Sequence, residues 1–162
     1  MNDVDHQSRT DAVNDLWHYY EENATQARQH ENLRATASSV LVGFAAALVG
    51  LVGVDGMAED DIPAAVLVIG IGVLGALLSL KHYERNRMHS AILKVARSQI
   101  DRLRGRGSKA PESLSNVRKT GVSEHESQHS RILVWMPAHS LWAALHLFVA
   151  GVGVLLVVLA AN

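Results

Sequence analysis

Three stretches of this 162-residue chain are free of charged residues and long enough to cross a lipid bilayer as helices. Residues 35–54, 62–80 and 141–161 contain no Asp, Glu, Lys or Arg. A hydrocarbon core of about 30 Å requires about 20 apolar residues in a helix that rises about 1.5 Å per residue. Two buried helices of a soluble all-α core would carry a polar stripe, which the first two stretches lack. The pattern predicts an all-α membrane protein with three transmembrane helices.

Polar segments next to the first two spans continue the helical pattern. Apolar or aromatic residues recur there every three or four positions, at Val13, Trp17, Tyr20, Ala24, Ala27 and at Leu93, Ala96, Ile100, Leu103. Such spacing predicts a seam that packs against another helix. We therefore expect helices over 10–54 and 62–104 that extend out of the membrane as a water-exposed helical stalk, with residues 1–9 disordered.

Turn and capping signals divide the rest of the chain. The acids and Gly56 in residues 55–61 predict an acidic turn, and Pro63 suits the first turn of the helix that follows. Residues 105–120 are rich in Gly, Ser and Pro, which predicts a loop or a short irregular insert. Ser123 and Glu126 have the spacing of a capping box, so a further helix is expected to begin there.

Basic residues are distributed asymmetrically along the chain. All 15 Lys and Arg lie in 1–34 or 81–131, whereas the acidic turn has four acids and no basic residue. The positive-inside rule then predicts a cytoplasmic N terminus and a cytoplasmic middle segment, with the acidic turn and the C terminus outside. The expected organisation is a cytoplasmic N-terminal helix (1–34), a transmembrane hairpin (35–80), a cytoplasmic basic helix, loop and juxtamembrane helix (81–136), and a third transmembrane helix (137–162).

A basic cluster is the clearest candidate binding site. Seven Lys and Arg between positions 97 and 119 are accompanied by only two acids, Asp101 and Glu112. Guanidinium groups bind phosphate well, and repetition by oligomer symmetry would make a strong site for a nucleotide or oligonucleotide. The alternative is a juxtamembrane stretch that sets topology and contacts anionic lipid. The candidate ligand-binding residues are Arg97, Arg102, Arg104, Arg106, Lys109, Arg118 and Lys119.

Small residues are frequent in the spans, often at four-residue spacing as in Gly43/Ala47 and Gly72/Ala76. Small residues let transmembrane helices approach closely, either within one chain or between copies. Three spans are too few to enclose an aqueous path, so a pore would require several copies around an axis. Charge-free spans favour an apolar constriction that gates by dewetting. The polar residues available to line a pore are Ser38, Ser39, Ser79, His139, Ser140 and His146.

Signals for enzymatic or metal chemistry are weak. The chain has nine histidines and no cysteine, which excludes a disulfide framework and a thiolate metal site. His125 and His129 share a helix face, but no third ligand has suitable spacing. Neither a nucleophile–histidine–acid set nor a Walker or dinucleotide-binding motif is present. We therefore expect no enzyme activity, no metal site and no cofactor.

The arrangement resembles the SLATT-type small transmembrane effectors of bacterial anti-phage systems. The resemblance covers about residues 10–104. It is carried by the helix around Trp17 and Tyr20, the 35–80 hairpin, and the extension HYERNRMHSAILKVARSQIDRLR. The third span departs from the simplest two-span pattern. In this respect the chain is more similar to channel-type effectors paired with a nucleotidyltransferase, such as the membrane component of Hailong-type systems.

The resemblance implies a homo-oligomer, a tetramer or similar, in the bacterial inner membrane. Its channel would be gated by a nucleotide or oligonucleotide that a partner nucleotidyltransferase makes. Gating would depolarise the membrane and prevent phage growth in the infected cell, as in abortive infection. The competing interpretation is a non-conducting membrane adaptor that recruits a partner protein through its cytoplasmic helices. An integral transporter subunit is less favoured, since no span is broken midway or charged at mid-depth.

Overall fold

A computed structural model describes residues 3–52, 57–105, 113–128 and 138–162. The described residues form four α-helices and one short 3-10 helix. In chain order they are α1 (Asp3–Val52), the 3-10 helix (Glu59–Asp61), α2 (Ile62–Arg104), α3 (Leu114–Gln128) and α4 (Ala138–Ala160). The described ranges contain no strand. The prediction of an all-α fold is confirmed.

Three helical segments are long and apolar enough to cross a membrane: His6–Val52, Glu59–Arg104 and His139–Ala160. They contain the described parts of the first two predicted spans and residues 141–160 of the third. The first two are much longer than a bilayer requires, because each combines a polar segment with an apolar one in an uninterrupted helix. Length and composition therefore support a membrane protein with three spanning helices.

The bounds of α2 agree with the sequence pattern, whereas α1 is longer than expected. Pro63 lies in the first turn of α2, and at its other end the Gly105 N–H donates to the Asp101 carbonyl oxygen at 2.8 Å. α1 begins at Asp3, so the expected disorder of residues 1–9 is wrong for residues 3–9. No Gly or Pro interrupts that segment, and helical hydrogen bonding continues through it.

The helix α3 begins at Leu114, nine residues before the expected start at Ser123. Residues 114–120 are therefore helical, and the prediction of a loop there is wrong. Ser113 caps the helix, because its side-chain oxygen accepts the Asn116 N–H at 3.3 Å. Ser123 lies in the middle of the helix and does not cap it.

The described residues divide into two compact units. The first, which we name the polar unit, contains residues 3–29, 85–105 and 113–128. The second, the apolar unit, contains residues 30–52, 57–84 and 138–162. α1 and α2 contribute to both units, α3 belongs to the polar unit and α4 to the apolar unit.

Glycines allow α2 and α4 to pack closely in the apolar unit. A Cβ at Gly72 would lie 2.5 Å from the Ala150 nitrogen, and a Cβ at Gly153 would lie 2.8 Å from the Ile69 nitrogen. Such an approach is possible only without a side chain. Other glycines of the spans have no neighbouring atom within 4 Å of a Cβ position: Gly43, Gly50, Gly70 and Gly151. Their small size is not used in packing among the described residues.

Candidate functional site

A polar cluster is buried inside the apolar unit between α1, α2 and α4. His146 of α4 is 1% exposed, and its Nε2 lies 2.9 Å from the Ser38 Oγ of α1. The imidazole ring packs directly against Gly75 of α2, where a Cβ would overlap it. Ser79, one helical turn after Gly75, is also buried. We name Ser38, Gly75, Ser79 and His146 the buried polar cluster.

Two atoms of the buried polar cluster have no hydrogen-bond partner among the described residues. These atoms are the Nδ1 of His146 and the Oγ of Ser79. Leaving a buried polar group unpaired costs about 1–3 kcal/mol. Ionisable residues inside a membrane are rare and usually functional for this reason. The cluster is therefore a functional candidate, although sequence spacing alone does not predict that these residues meet.

Aromatic and imidazole rings from all three long helices of the apolar unit lie next to one another. The Tyr83 and His139 rings are stacked, with centroids 3.8 Å apart and planes 13° from parallel. The Nδ1 atoms of His30 and His82 lie 3.4 Å apart. Rings with an apolar body and a polar edge are typical of the boundary between membrane and water. This arrangement agrees with the predicted ends of the spans.

Arg34 is a buried charged residue of the apolar unit, with only 3% of its surface exposed. It forms an ion pair with Glu31, and its guanidinium lies 5.7 Å from the centroid of the Trp142 ring. The ion pair and the cation–π contact compensate part of the cost of burying the charge. Its Nε has no hydrogen-bond partner among the described residues.

The six residues predicted to line a pore fall into separate groups. Three are buried between the helices of a single chain: Ser38, Ser79 and His146. Two are exposed on the surface of the chain: Ser39 and Ser140. The sixth, His139, is partly buried and stacked on Tyr83. A path between copies of the chain would therefore expose Ser39 and Ser140 more readily than the three buried residues.

Polar side chains join α1 and α2 in the polar unit. Asn23 Oδ1 lies 2.9 Å from the Nδ1 of the buried His89, and the Asn86 side chain donates to the Ala27 carbonyl oxygen at 3.0 Å. Apolar members of the predicted seam are also buried: Ala27, Ala96 and Ile100. The predicted packing of the two polar helix segments is therefore present, and hydrogen bonds supplement it.

Arg97, the first residue of the predicted basic cluster, contributes to this helix contact. Its guanidinium donates to the Tyr20 hydroxyl at 3.0 Å and lies 5.7 Å from the centroid of the Tyr20 ring. The other described members lie elsewhere. Arg102 is exposed on α2, and Arg118 and Lys119 are exposed on α3. Arg106 and Lys109 lie outside the described residues.

Asp101, an acid within the predicted basic cluster, holds the start of α3. Its carboxylate accepts the backbone N–H of Leu114 at 2.8 Å and of Ser115 at 3.1 Å, and the hydroxyls of Ser113 and Ser115 at 2.9 and 2.8 Å. Burial acts to raise the pKa of Asp101, but these hydrogen bonds together outweigh burial and lower its pKa. The ionised acid caps the helix and stabilises its positive end.

A groove of about 260 Å³ lies in the polar unit between the first turns of α1 and the end of α2. Three basic residues, one hydroxyl residue and two apolar residues line it: His6, Arg9, Arg104, Thr10, Val13 and Leu103. We name it the basic groove. Arg104 belongs to the predicted basic cluster, whereas His6 and Arg9 do not. The sequence predicts that the seams of α1 and α2 pack against each other. If they pack antiparallel, His6 and Arg9 at the start of α1 come to lie beside Arg104 at the end of α2.

Comparisons with protein-family models, curated proteins and solved structures gave no match to this chain. Within the described ranges, no three His, Asp or Glu residues are grouped as possible metal ligands. His125 lies on α3, and its proposed partner His129 is outside the described residues. The buried polar cluster and the basic groove are therefore the two sites from which function is inferred.

Proposed function

We propose that this protein is a homo-oligomeric membrane channel, gated by a nucleotide or oligonucleotide, that depolarises the bacterial inner membrane during anti-phage defence. The observation that carries the proposal is the continuity of α1 and α2. Each helix contributes residues to the basic groove and also contains an apolar segment of membrane length. A ligand in the groove therefore contacts the same helices that cross the membrane. The resemblance to SLATT-type effectors supplies the defence setting and a partner nucleotidyltransferase.

The charge distribution supports a cytoplasmic position for the polar unit. The segment between the first two apolar stretches carries four acids and no Lys or Arg, whereas all 15 basic residues lie on the other side of these stretches. This asymmetry favours a polar unit that stays in the cytoplasm, with the acidic turn outside. A signal made in the infected cell would then reach the basic groove directly.

Assembly of several copies is supported by features that the packing of one chain does not use. The open glycines of the spans, such as Gly43 and Gly50, would allow a helix of a second copy to approach closely. An apolar groove of about 360 Å³, lined by residues that include Ala46, Val149 and Val152, lies on the same unit and would accept a side chain of that copy. Three spans alone enclose no aqueous path.

Gating in this proposal is a shift between two packings of α1 against α2. A ligand that prefers one packing shifts the population toward it, in proportion to its difference in affinity for the two. The buried polar cluster would respond strongly, because its hydrogen bond and its contact with Gly75 both depend on how the helices are placed. Widening an apolar constriction would then allow water and ions to enter.

Ion flux across liposomes tests the proposed function. Purified protein is reconstituted into liposomes with a potassium gradient, and flux is recorded with and without 5′-AMP or a short mixed-sequence oligonucleotide. We expect flux that one of these ligands changes, in either direction. The variant Gly43→Ala should reduce flux, because it hinders close approach of copies while its added Cβ comes within 4 Å of no other described segment of its own chain. Flux equal to that of protein-free liposomes with every ligand would contradict the channel.

A membrane adaptor is the second candidate, and the exposure of α3 favours it. Residues 116–127 of this helix are all exposed, including the apolar side chains of Val117 and Val122. An exposed helix with apolar residues offers a surface to a partner protein. The adaptor predicts no flux with any ligand and loss of a specific protein partner when Val117 and Val122 are replaced by Ser.

A further inference from the structure

We propose that the basic groove binds the phosphate of a phosphate ester of mononucleotide size. This inference deepens the proposed function, because it names the site and the size class of the ligand that would act on the channel. Its gating role rests on the proposed function, but binding itself does not. It differs from the sequence prediction in two ways. His6 and Arg9 are added, and Arg104 is the one described member of the predicted basic cluster that lines the groove, since Arg97 bonds Tyr20 and Arg102, Arg118 and Lys119 lie elsewhere.

The two arginines of the basic groove have no carboxylate partner among the described side chains. Arg9 and Arg104 come from different helices, line one groove, and are both partly buried. Neither forms an ion pair with another described residue, and none of the described residues that line the groove is an acid. Two partly desolvated guanidinium groups in one groove favour an anion with several acceptor oxygens. His6 adds a third group that can carry positive charge or donate a hydrogen bond.

The basic groove also has apolar lining. Val13 and Leu103 line the same groove as these cations and are only partly exposed. An inorganic phosphate would contact the cations and leave these two side chains in contact with water. A ligand that joins a phosphate to a flat, weakly polar group would cover them and gain free energy from their removal from water. A nucleoside monophosphate has both parts.

The size of the groove limits its ligand. The volume of about 260 Å³ lies just below the range of about 300–1,000 Å³ that is usual for pockets of drug-sized ligands. A ligand of one nucleotide is therefore at the upper limit of its size, and an oligonucleotide would have to extend beyond it. We accordingly assign to the groove a mononucleotide or the terminal nucleotide of a longer chain.

Calorimetric titration of the full chain in detergent tests the site with 5′-AMP, inorganic phosphate and adenosine. We expect 5′-AMP to bind more tightly than phosphate, and adenosine not to bind. The variants Arg9→Gln and Arg104→Gln should each weaken 5′-AMP binding by about 10- to 100-fold, as expected for loss of a hydrogen bond to a charged group. Val13→Ser should weaken binding of 5′-AMP and leave that of phosphate unchanged.

Arg102→Gln is the matched control, because it removes the same charge from an exposed residue that does not line the groove. It should change 5′-AMP binding by no more than about twofold, since an exposed charge at this distance is screened. An equal loss in Arg102→Gln and Arg104→Gln would indicate general attraction of anions and overturn the site. Binding unchanged in both Arg9→Gln and Arg104→Gln would also overturn it, and circular dichroism verifies that each variant is folded.

A lipid headgroup could supply the same phosphate chemistry, and nanodiscs distinguish the two sources. Equal 5′-AMP affinity in phosphatidylcholine and phosphatidylglycerol nanodiscs would support a soluble ligand. Loss of 5′-AMP binding in phosphatidylglycerol would assign the groove to lipid and overturn the inference. Failure of this site is distinguishable from failure of the channel. If the Arg9→Gln and Arg104→Gln variants lose 5′-AMP binding but no ligand produces ion flux, only the channel is contradicted. If a ligand changes ion flux equally in the wild-type protein and in these two variants, only the site is contradicted.

Discussion

The two units hold their helices together by different means. In the polar unit, side chains of α1 and α2 exchange hydrogen bonds, as between Asn23 and His89 and between Arg97 and Tyr20. In the apolar unit, glycines without a side chain let the helix backbones approach closely, as where Gly72 of α2 contacts Ala150 of α4. One buried hydrogen bond, between His146 and Ser38, is added to that packing.

This difference in helix packing follows from the surroundings that suit each unit, which are water for the polar unit and lipid for the apolar unit. Where water is present, burial of apolar surface drives helix association, and polar side chains buried with it offset their cost by forming hydrogen bonds with each other. Inside a bilayer, lipid is as apolar as the side chains, so close packing and shape must supply the association energy. We therefore expect added volume to have its largest effect in the apolar unit, and a lost hydrogen bond to have a smaller effect in either unit.

The largest expected effect is that of volume added to the apolar unit. The Gly72→Ala variant places a methyl group against the backbone of α4, so we expect destabilisation of about 1–3 kcal/mol. Gly70→Ala, two residues earlier on the same helix, meets no atom within 4 Å and should be neutral or stabilising by up to about 1 kcal/mol. Unfolding in detergent micelles by SDS measures both. Equal effects would show that close approach does not hold this unit together.

A double-mutant cycle measures the hydrogen bond of the buried polar cluster. Ser38→Ala leaves the His146 Nε2 without its partner, and we expect a loss of about 1–2 kcal/mol. His146→Leu removes the polar ring itself, so adding Ser38→Ala to that variant should cost much less. SDS unfolding of the four proteins gives the coupling free energy. Additive losses would contradict a direct interaction.

Loss of a hydrogen bond in the polar unit should have a similar but smaller effect. Asn23→Ala removes the contact with His89, for which we expect a loss of about 1 kcal/mol. Asn14→Ala, at an exposed position of the same helix, should change stability by less than about 0.5 kcal/mol. Thermal unfolding followed by circular dichroism compares the two. A larger loss in Asn14→Ala would invalidate the hydrogen-bond explanation.

The smallest expected effect is local and depends on pH. Because hydrogen bonds hold the folded pKa of Asp101 below its ordinary value of 3.8, the stability that it gives to α3 is complete above that value. It is lost as the pH falls through the folded pKa. Hydrogen exchange of the Leu114 and Ser115 amides should therefore accelerate, relative to intrinsic rates, only below about pH 4. In Asp101→Ala, exchange should be fast at neutral pH as well, and protection that persists there would contradict the cap.

Local patterns predicted the parts of the fold that depend on nearby residues. Residue spacing predicts the charge-free stretches and the seam through Ala27, Ala96 and Ile100. Pro63 and Gly105 predict the two ends of α2. These features are set by hydrophobic periodicity and by turn residues within a few positions.

The remaining features depend on residues that are distant in sequence. The start of α3 is held by Asp101 of another helix together with the cap at Ser113, and the capping-box spacing at Ser123 does not indicate it. The basic groove joins Arg9 to Arg104, and only packing brings them together. Burial of His146 likewise depends on a contact with Gly75 that neither sequence neighbourhood reveals.

Native mass spectrometry of the detergent-purified protein tests whether this chain forms a ligand-binding oligomer, because it reports subunit number and bound ligand together. The account predicts one defined oligomer with an added mass of one nucleotide-sized ligand for each chain. Arg9→Gln combined with Arg104→Gln should remove that added mass and leave the subunit number unchanged. A bare monomer under the same conditions would contradict the account, because one chain has too few spans to form a pore.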